Sequence, residues 1–340
     1  TLHARTLENW LVEQEKASWQ KLNANLSPEG TRAGAVIASP QRRDPDYFFH
    51  WVRDAALVMD VVMTDQRQAP SNLNAKNIQQ YIDFSLFIQE QTTLTDLGEP
   101  KYHVDGSSFN GPWGRPQNDS PALRALYLVR HAEHLIKQGA TPASLRSLYF
   151  AELPARSLIK RDLEYVAHHW TEPGFDLWEE IKGMHFYTLM VTRQALLEGS
   201  KLARKFNDNG AAEHYAWQAV LVENRLETFV TNNHFVTTRD RVEGIDYKHS
   251  NLDTCIILAF LHVGENGYFR ITDSRLARSI KLLEESFNRI YPVNNRGISA
   301  TALGRYPEDT YYGGNPWILT TLAVAEYQYR LAKSTGKARH

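Results

Sequence analysis

The chain has 340 residues, of which 42% are hydrophobic and 23% are charged. This balance is typical of a globular protein with a sizeable core, and the length allows one large domain or two ordinary ones. Its 38 basic and 39 acidic side chains leave a net charge of −1. No basic stripe or basic amphipathic segment is present, so we expect neither nucleic acid nor a membrane as a partner. No apolar stretch approaches about 18 residues, the length that a membrane-spanning helix needs.

Neither a metal nor another cofactor is predicted. The single cysteine, Cys255, lies in an apolar run and is expected to be a buried, inert thiol. His131 and His134 have i, i+3 spacing, and His168 and His169 are adjacent. A metal site needs three or four convergent ligands, whereas these histidines fall on amphipathic helices. We therefore expect them to be surface or half-buried side chains.

Hydrophobic periodicity predicts ten helices. In chain order they cover about 6–25, a twelve-residue helix that follows Asp54, and then 74–93, 120–138, 144–169 (interrupted near Pro154), 185–207, 210–230, 252–263, 273–290 and 315–334. Asp54, Ser120 and Asn315 are predicted N-caps, and Thr272 or Asp273 caps the ninth helix. The segment 231–251 is predicted to hold short extended pieces.

Four long loops, rich in aromatic, arginine and acidic residues, precede helices two, four, six and ten. In a ring of helical hairpins, connections of one parity lie at the same end. The four loops are therefore predicted to line one mouth, and the fold class is predicted to be all-α: a single α-toroid with one cleft.

The loop before helix six contains an acidic and aromatic cluster, Gly174-Phe175-Asp176-Leu177-Trp178-Glu179-Glu180. Most acidic clusters are solvated faces. Here apolar Phe, Leu and Trp alternate with the acids, which favours one concave wall built from carboxylates and rings. A sugar site needs that combination, a carboxyl group for proton transfer and flat rings for the pyranose faces.

Four segments, in this order, resemble the signatures of the glucoamylases, which are inverting glycoside hydrolases of the (α/α)6-barrel type. They are Pro45-Asp46-Tyr47-Phe48 with Trp51-Val52-Arg53-Asp54, Trp113-Gly114-Arg115-Pro116-Gln117-Asn118-Asp119 with Pro121-Ala122-Leu123-Arg124, Phe175-Asp176-Leu177-Trp178-Glu179-Glu180, and Gly304-Arg305-Tyr306-Pro307-Glu308-Asp309 through Asn315-Pro316-Trp317.

The resemblance implies a role for each matching residue. Glu179 would be the general acid, Glu180 would bind a hydroxyl of the leaving sugar, and Leu177 would contribute its backbone carbonyl. Arg53 and Asp54 would clamp the terminal glucose at the non-reducing end. The other implied substrate-binding residues are Tyr47, near the ring oxygen, the apolar walls Trp51, Trp113, Trp178 and Trp317, and Arg115, Asp176, Arg305, Tyr306, Asp309 and Tyr311.

One part of the family pattern is missing. Inverting hydrolysis needs a second carboxylate as base, about 6.5–9.5 Å from the acid. In the family this base follows the fourth segment, and nothing similar follows Trp317. Ten helices are also two short of six hairpins. We therefore expect residues 1–340 to form one α-toroid catalytic domain, incomplete at its C-terminal end, without the base and without a separate starch-binding domain.

The resemblance implies an enzyme that removes terminal α-1,4-linked glucose, and more slowly α-1,6-linked glucose, from non-reducing ends of starch, glycogen and maltooligosaccharides, with release of β-glucose. It also implies a secreted monomer that binds acarbose-type inhibitors. The alternative is a catalytically impaired or non-catalytic α-glucan-binding fragment or relative that lacks the base. Phosphorolysis would need a cationic phosphate pocket, and no cluster of Lys, Arg and Ser in the sequence suggests one.

Overall fold

The computed structural model describes residues 6–297 and 299–336. Within these ranges lie ten α-helices: α1 (Leu7–Ala24), α2 (Val52–Gln68), α3 (Asn72–Gln89), α4 (Asp119–Lys137), α5 (Leu158–His169), α6 (Phe186–Lys205), α7 (Asn209–Glu227), α8 (Cys255–Val263), α9 (Ser274–Ile290) and α10 (Ile318–Thr335). Seven short strands accompany them: β1 (His50–Trp51), β2 (Lys101–Tyr102), β3 (Gly174–Phe175), β4 (Ile181–His185), β5 (Val230–Thr231), β6 (His234–Phe235) and β7 (Thr238–Gly244).

The even-numbered helices form the inner layer of the fold. Helices α2, α4, α6, α8 and α10 pack side by side in that order, while α3, α5, α7 and α9 cover them from outside. The inner helix α8 is apolar on every side, and all of its residues except His262 are buried, as expected of a helix enclosed by others. The predicted all-α toroid is confirmed, whereas the expected absence of a sixth hairpin stays a prediction.

Three predicted helix starts are wrong. α2 begins at Val52, so Asp54 lies in its first turn, and neither Ser120 nor Asn315 is the N-cap of the helix that follows it. The observed N-caps of α2, α4 and α10 make no side-chain capping hydrogen bond. The side chains around these helix starts instead contact other loops. Local capping rules do not include such tertiary contacts. Away from the inner layer, the predicted Asp273 cap of α9 is confirmed.

The strands are short and pair antiparallel. Two of the sheets contain a strand that leads directly into an inner helix, β1 into α2 and β4 into α6. β1 pairs with β2, which brings Trp51 opposite Lys101. β3, β4 and β7 form a three-stranded sheet whose β3–β4 turn carries the acidic cluster. β6 and β7 lie within the segment 231–251, where the sequence predicts short extended pieces, and β5 ends at its first residue.

Two helices expose apolar side chains. α1 has no buried residue and α10 buries only three. The large apolar residues that these helices leave exposed are Leu7, Trp10, Leu11 and Val12 on α1, and Ile318, Leu319, Leu322 and Tyr329 on α10. No helix in the described ranges is long and apolar enough to cross a membrane.

A buried ion pair joins three helices below the loops. Arg124 on α4 donates to both carboxylate oxygens of Asp162 on α5, at 2.7 and 2.6 Å. Gln89 on α3 donates to the same carboxylate at 2.8 Å. All three residues are at most 2% exposed. Because the ion pair is buried and bidentate, removal of one partner leaves an uncompensated charge in the core.

Substitution of Asp162 by alanine is therefore expected to lower the free energy of unfolding by about 3–5 kcal/mol. The matched control is Glu90→Ala, which breaks the exposed pair with Arg161 and is expected to cost at most about 1 kcal/mol. Urea unfolding of both variants measures the difference, and equal losses would contradict the structural role given to Asp162.

Candidate active site

The four rich loops meet at one end of the toroid. Trp51, before α2, donates its indole N–H to Oε1 of Glu179 at 2.8 Å. Gln117, before α4, donates to the same oxygen at 3.0 Å. Arg305, before α10, donates to Glu180 at 2.8 Å. The prediction that these loops line one mouth is confirmed by these contacts.

A tight turn between β3 and β4 presents the two glutamates. Oδ1 of Asp176 accepts hydrogen bonds from the backbone N–H groups of Glu180 and Ile181, at 2.8 and 2.9 Å. The Asp176 carbonyl accepts from the N–H of Glu179 at 2.9 Å. Glu179 has a φ of 66°, a left-handed conformation that costs a non-glycine residue roughly 1 kcal/mol or more. Strain of this kind concentrates at functional sites, where surrounding contacts maintain it.

The Glu179 carboxyl group has one occupied and one open oxygen. Both hydrogen bonds, from Trp51 and Gln117, end on Oε1. Among the described residues none donates to Oε2, and the side chain is 19% exposed. A proton on Oε2 would therefore face the cleft, which is the geometry that a general acid requires.

Glu180 is held quite differently. Its Oε1 accepts from Arg305 at 2.8 Å and its Oε2 from the Tyr306 hydroxyl at 2.7 Å. Burial raises the pKa of Glu180, while Arg305 and Tyr306 oppose the rise. Since both oxygens already accept hydrogen bonds, Glu180 is an oriented acceptor, and of the two neighbouring glutamates Glu179 has the geometry of a proton donor.

Arg305 is fixed in the middle of an aromatic cluster. It donates to both oxygens of Asp309, at 2.8 and 2.6 Å, and is 4% exposed. Burial works against its charge, but the neighbouring Asp309 and Glu180 outweigh burial and raise the pKa of Arg305. Its remaining terminal nitrogen has no acceptor among the described residues and is available to a ligand hydroxyl. The rings around its Cζ atom, with centroids 5.0–5.5 Å away, are Trp178, Tyr306, Tyr311 and Trp317.

Arg53 and Asp54 lie at the start of α2 and differ in accessibility. Arg53 is buried and donates to Gln117 at 2.8 Å and to Asp119 at 3.0 Å. The Asp54 carboxylate lies 3.9 Å from Arg53, and its side chain is 43% exposed. Asp119 thus fixes the guanidinium, and the Asp54 carboxylate is the more exposed of the two groups.

Aromatic side chains form two walls of the mouth. On one side Trp51 packs edge to face with Tyr47 and Trp113, at centroid distances of 6.2 and 5.9 Å. On the other side Trp178 packs against Trp317 at 5.8 Å. The Tyr47 hydroxyl is 2.5 Å from the hydroxyl of Tyr311, beside the second wall. The predicted aromatic residues are therefore brought together.

Two further predicted residues are Arg115, in the loop before α4, and Leu177, in the turn between β3 and β4. Arg115 donates to Glu99 at 3.0 Å and to the carbonyls of Gly111 and Phe109 at 2.9 and 3.2 Å. It thereby closes the loop that carries Trp113, and its direct contact with a substrate stays a prediction. The Leu177 carbonyl accepts no hydrogen bond from any described residue, and its contact with a substrate also stays a prediction.

The sequence missed a fifth contribution, from the loop before α8. Asp253 accepts from the Trp178 indole N–H at 3.0 Å and pairs with Lys248. It also accepts from the backbone N–H of Cys255 at 2.6 Å. An acidic residue directly before an apolar helical run is a helix-start signal, but nothing local links it to Trp178. Cys255 is buried as predicted, and burial raises the pKa of its thiol.

The site combines two glutamates in different hydrogen-bond environments, Glu179 and Glu180, with a fixed guanidinium and facing aromatic walls. These features define its class: a carbohydrate site of the glycoside hydrolase type on an α-toroid. Comparison with known proteins gives the family. The sequence model of Glycosyl hydrolases family 15 matches residues 15–340, and the chain belongs to that family.

Individual relatives agree with this assignment. Glucoamylase 1 of Rhizopus oryzae is 34% identical, over 96% of this chain and 55% of that protein. The glucoamylase of Blastobotrys adeninivorans is 36% identical, over 95% of this chain and 56% of that protein. The chain thus spans just over half the length of these two relatives.

Solved structures share the fold. A glucoamylase from Saccharomycopsis fibuligera superposes with a TM-score of 0.86 and 32% identity, over 97% of this chain and 74% of that one. A bacterial glucoamylase complexed with acarbose has a TM-score of 0.60 at 16% identity, over 89% of this chain and 45% of that one. At that identity the second match concerns the fold alone.

The Asp176 turn can be tested by stability. Asp176→Ala removes the acceptor for the N–H groups of Glu180 and Ile181, and we expect the free energy of unfolding to fall by about 2 kcal/mol. Asp176→Asn keeps an acceptor oxygen and should recover most of the loss. The control is Asp105→Ala, which removes the exposed hydrogen bond from the backbone N–H of Ser107 to the Asp105 carboxylate. It should lower the free energy of unfolding by less than about 1 kcal/mol. Equal losses in urea unfolding would contradict the role of Asp176.

Proposed function

We propose that the protein removes single glucose units from the non-reducing ends of α-1,4-linked glucans by inverting hydrolysis, with Glu179 as general acid. The observation that carries this proposal is the carboxyl group of Glu179, oriented through Oε1 and open at Oε2. Membership of family 15 and the resemblance of four loops to glucoamylase signatures support the same reaction.

In this proposal the proton on Oε2 of Glu179 passes to the glycosidic oxygen as the bond from that oxygen to the anomeric carbon breaks. The leaving sugar lies against Glu180, whose oxygens Arg305 and Tyr306 hold as acceptors for its hydroxyls. A water molecule attacks the anomeric carbon from the opposite face and gives its proton to a carboxylate base. Positive charge develops on the sugar ring, next to aromatic walls and Asp54.

The exo specificity is assigned to Arg53 and Asp54. A buried guanidinium and an open carboxylate side by side match the donors and acceptors of neighbouring hydroxyls. Both belong to the first turn of α2, which begins at the cleft. A terminal glucose held there places its glycosidic bond near Glu179, only 3.8 Å from the Arg53 guanidinium.

The proposal assigns to residues 1–340 the acid, the sugar pocket and the aromatic walls, and assigns hydrolysis to the whole protein. The presence of the base outside these residues stays a prediction. The competing function is α-glucan binding without turnover. Acarbose-type inhibitors are expected to bind in either case, because they need the pocket and not the base. Secretion and a monomeric state are likewise proposed from the family resemblance.

Glu179→Gln tests the acid. Glutamine keeps the shape and the Oε1 acceptor but has no acidic proton, so we expect maltose turnover by the whole protein to fall at least about a hundredfold, with acarbose affinity changed only a few-fold. Glu243→Gln, at an exposed position of β7, is the control and should keep full turnover. Undiminished turnover in Glu179→Gln would remove Glu179 from its role, and binding without turnover in the unmodified whole protein would favour the competing function.

The anomer of the first product tests the mechanism. Inversion at the α-linked carbon yields β-glucose, which NMR spectroscopy observes before mutarotation when maltose is the substrate. Initial α-glucose would exclude the inverting reaction, and initial release of maltose from longer glucans would exclude removal of single glucose units.

A further inference from the structure

Lys101 occupies an unusual position for a lysine. It lies in β2 directly opposite Trp51 of β1, and residues opposite each other in antiparallel strands place their side chains next to each other on one face. Lys101 is only 2% exposed. The sequence offered no sign of this, because a lysine in the polar loop 94–119 is normally a solvated side chain.

The Lys101 ammonium group is enclosed by four aromatic rings. Nζ lies 3.4 Å from the ring centroid of Trp113, 4.0 Å from Phe109, 4.3 Å from Phe49 and 4.7 Å from Trp51. All four distances are within the roughly 6 Å range of cation–π attraction. Nζ makes no ion pair or hydrogen bond with any other described residue. A buried charge without a directly paired counter-ion is costly, and attraction to these rings offsets part of that cost.

Two of these rings belong to the candidate active site. Trp51 turns its face toward Lys101 and its N–H toward Glu179. Trp113 has its ring centroid 5.9 Å from that of Trp51 and is 37% exposed. The ammonium therefore joins two side chains that come from different loops, one of which orients the carboxyl group of the acid.

On the basis of the proposed function, we propose that Lys101 is a positioning residue for the acid. Its charged ammonium holds Trp51 and Trp113 together as one wall and so fixes the indole N–H that orients Glu179. The rings attract the cation and not the neutral amine, so the wall depends on the proton of Lys101 as well as on the volume of its side chain.

The proton of Lys101 is unusually easy to remove. Burial lowers the pKa of Lys101 to about 8, although the negative charge of Glu179 opposes the shift. As pH rises through about 8, the cage loses its cation and the wall should loosen. The other charged or titratable groups around the cage are Asp46 in the loop before β1, Glu99 and Arg115 in the loop before α4, and His103, whose ring lies 5.2 Å from Phe49 and 5.7 Å from Phe109.

The first experiment follows tryptophan fluorescence and near-ultraviolet circular dichroism of the whole protein from pH 6 to 9.5. The unmodified protein is expected to show a transition with a midpoint near pH 8. Lys101→Met, which keeps a similar chain without the charge, and Lys101→Arg, whose guanidinium stays charged, should both lack it. Lys281→Met, at an exposed lysine of α9, should retain the transition. A transition that persists in Lys101→Arg would overturn the proposal.

The second experiment separates binding from turnover at pH 6. Lys101→Met is expected to lower kcat about tenfold or more, because a misplaced acid slows the chemical step, with a smaller change in KM. Lys101→Arg should restore most of the kcat. Unchanged kcat in a folded Lys101→Met protein would overturn the positioning role.

The outcomes distinguish this proposal from the proposed function. If the unmodified protein lacks hydrolytic activity, the proposed function fails, and the positioning role that rests on it fails too, while the spectroscopic titration still decides whether the charged cage exists. If Lys101→Met does not fold, the comparison between the unmodified protein and Lys101→Arg decides the matter: a pH-dependent spectrum in the first and a pH-independent one in the second support the cage.

Discussion

The candidate site depends on the side-chain amide of Gln117. Its Oε1 accepts from Arg53 and its Nε2 donates to Glu179 and to the Gly114 carbonyl, and the residue is fully buried. Arginine can only donate hydrogen bonds, so Oε1 of the amide must face Arg53, and Nε2 must then face Glu179. The Trp51 indole is also only a donor. Oε1 of Glu179 is consequently an obligatory acceptor, and the proton that we propose for this carboxyl group would lie on Oε2.

This chain of donors and acceptors exists because the toroid brings inner-helix starts to one end. Gln117 lies just before α4, Arg53 is in the first turn of α2, and Glu179 precedes the strand that leads into α6. Helix N-termini favour nearby negative charge, and Asp54 and Asp119 occupy the first turns of α2 and α4. The helices thus fix the polar groups, and the loops between them add the rings.

Much of the fold and of the candidate site was predictable from the sequence, and the features that were not predicted share a physical reason. Helix periodicity and loop parity depend on local patterns, so the toroid and its common mouth could be predicted. The predicted caps Ser120 and Asn315 were wrong because tertiary contacts decided where α4 and α10 begin. Lys101 and Asp253 were missed because each has a partner that is distant in sequence, Trp51 for Lys101 and Trp178 for Asp253, and no local pattern marks a lysine that will be enclosed by rings.

Glu179 and Glu180 show how one turn separates two adjacent carboxylates. In a regular strand neighbouring side chains point to opposite faces, and in a helix they lie about 100° apart. Here the left-handed backbone of Glu179, held by Asp176, directs one carboxyl group to Trp51 and Gln117 and the next to Arg305 and Tyr306. One glutamate keeps an open oxygen and the other has none. Because the side chains are chemically identical, only this backbone geometry and the donors around it distinguish the proposed proton donor from the oriented acceptor.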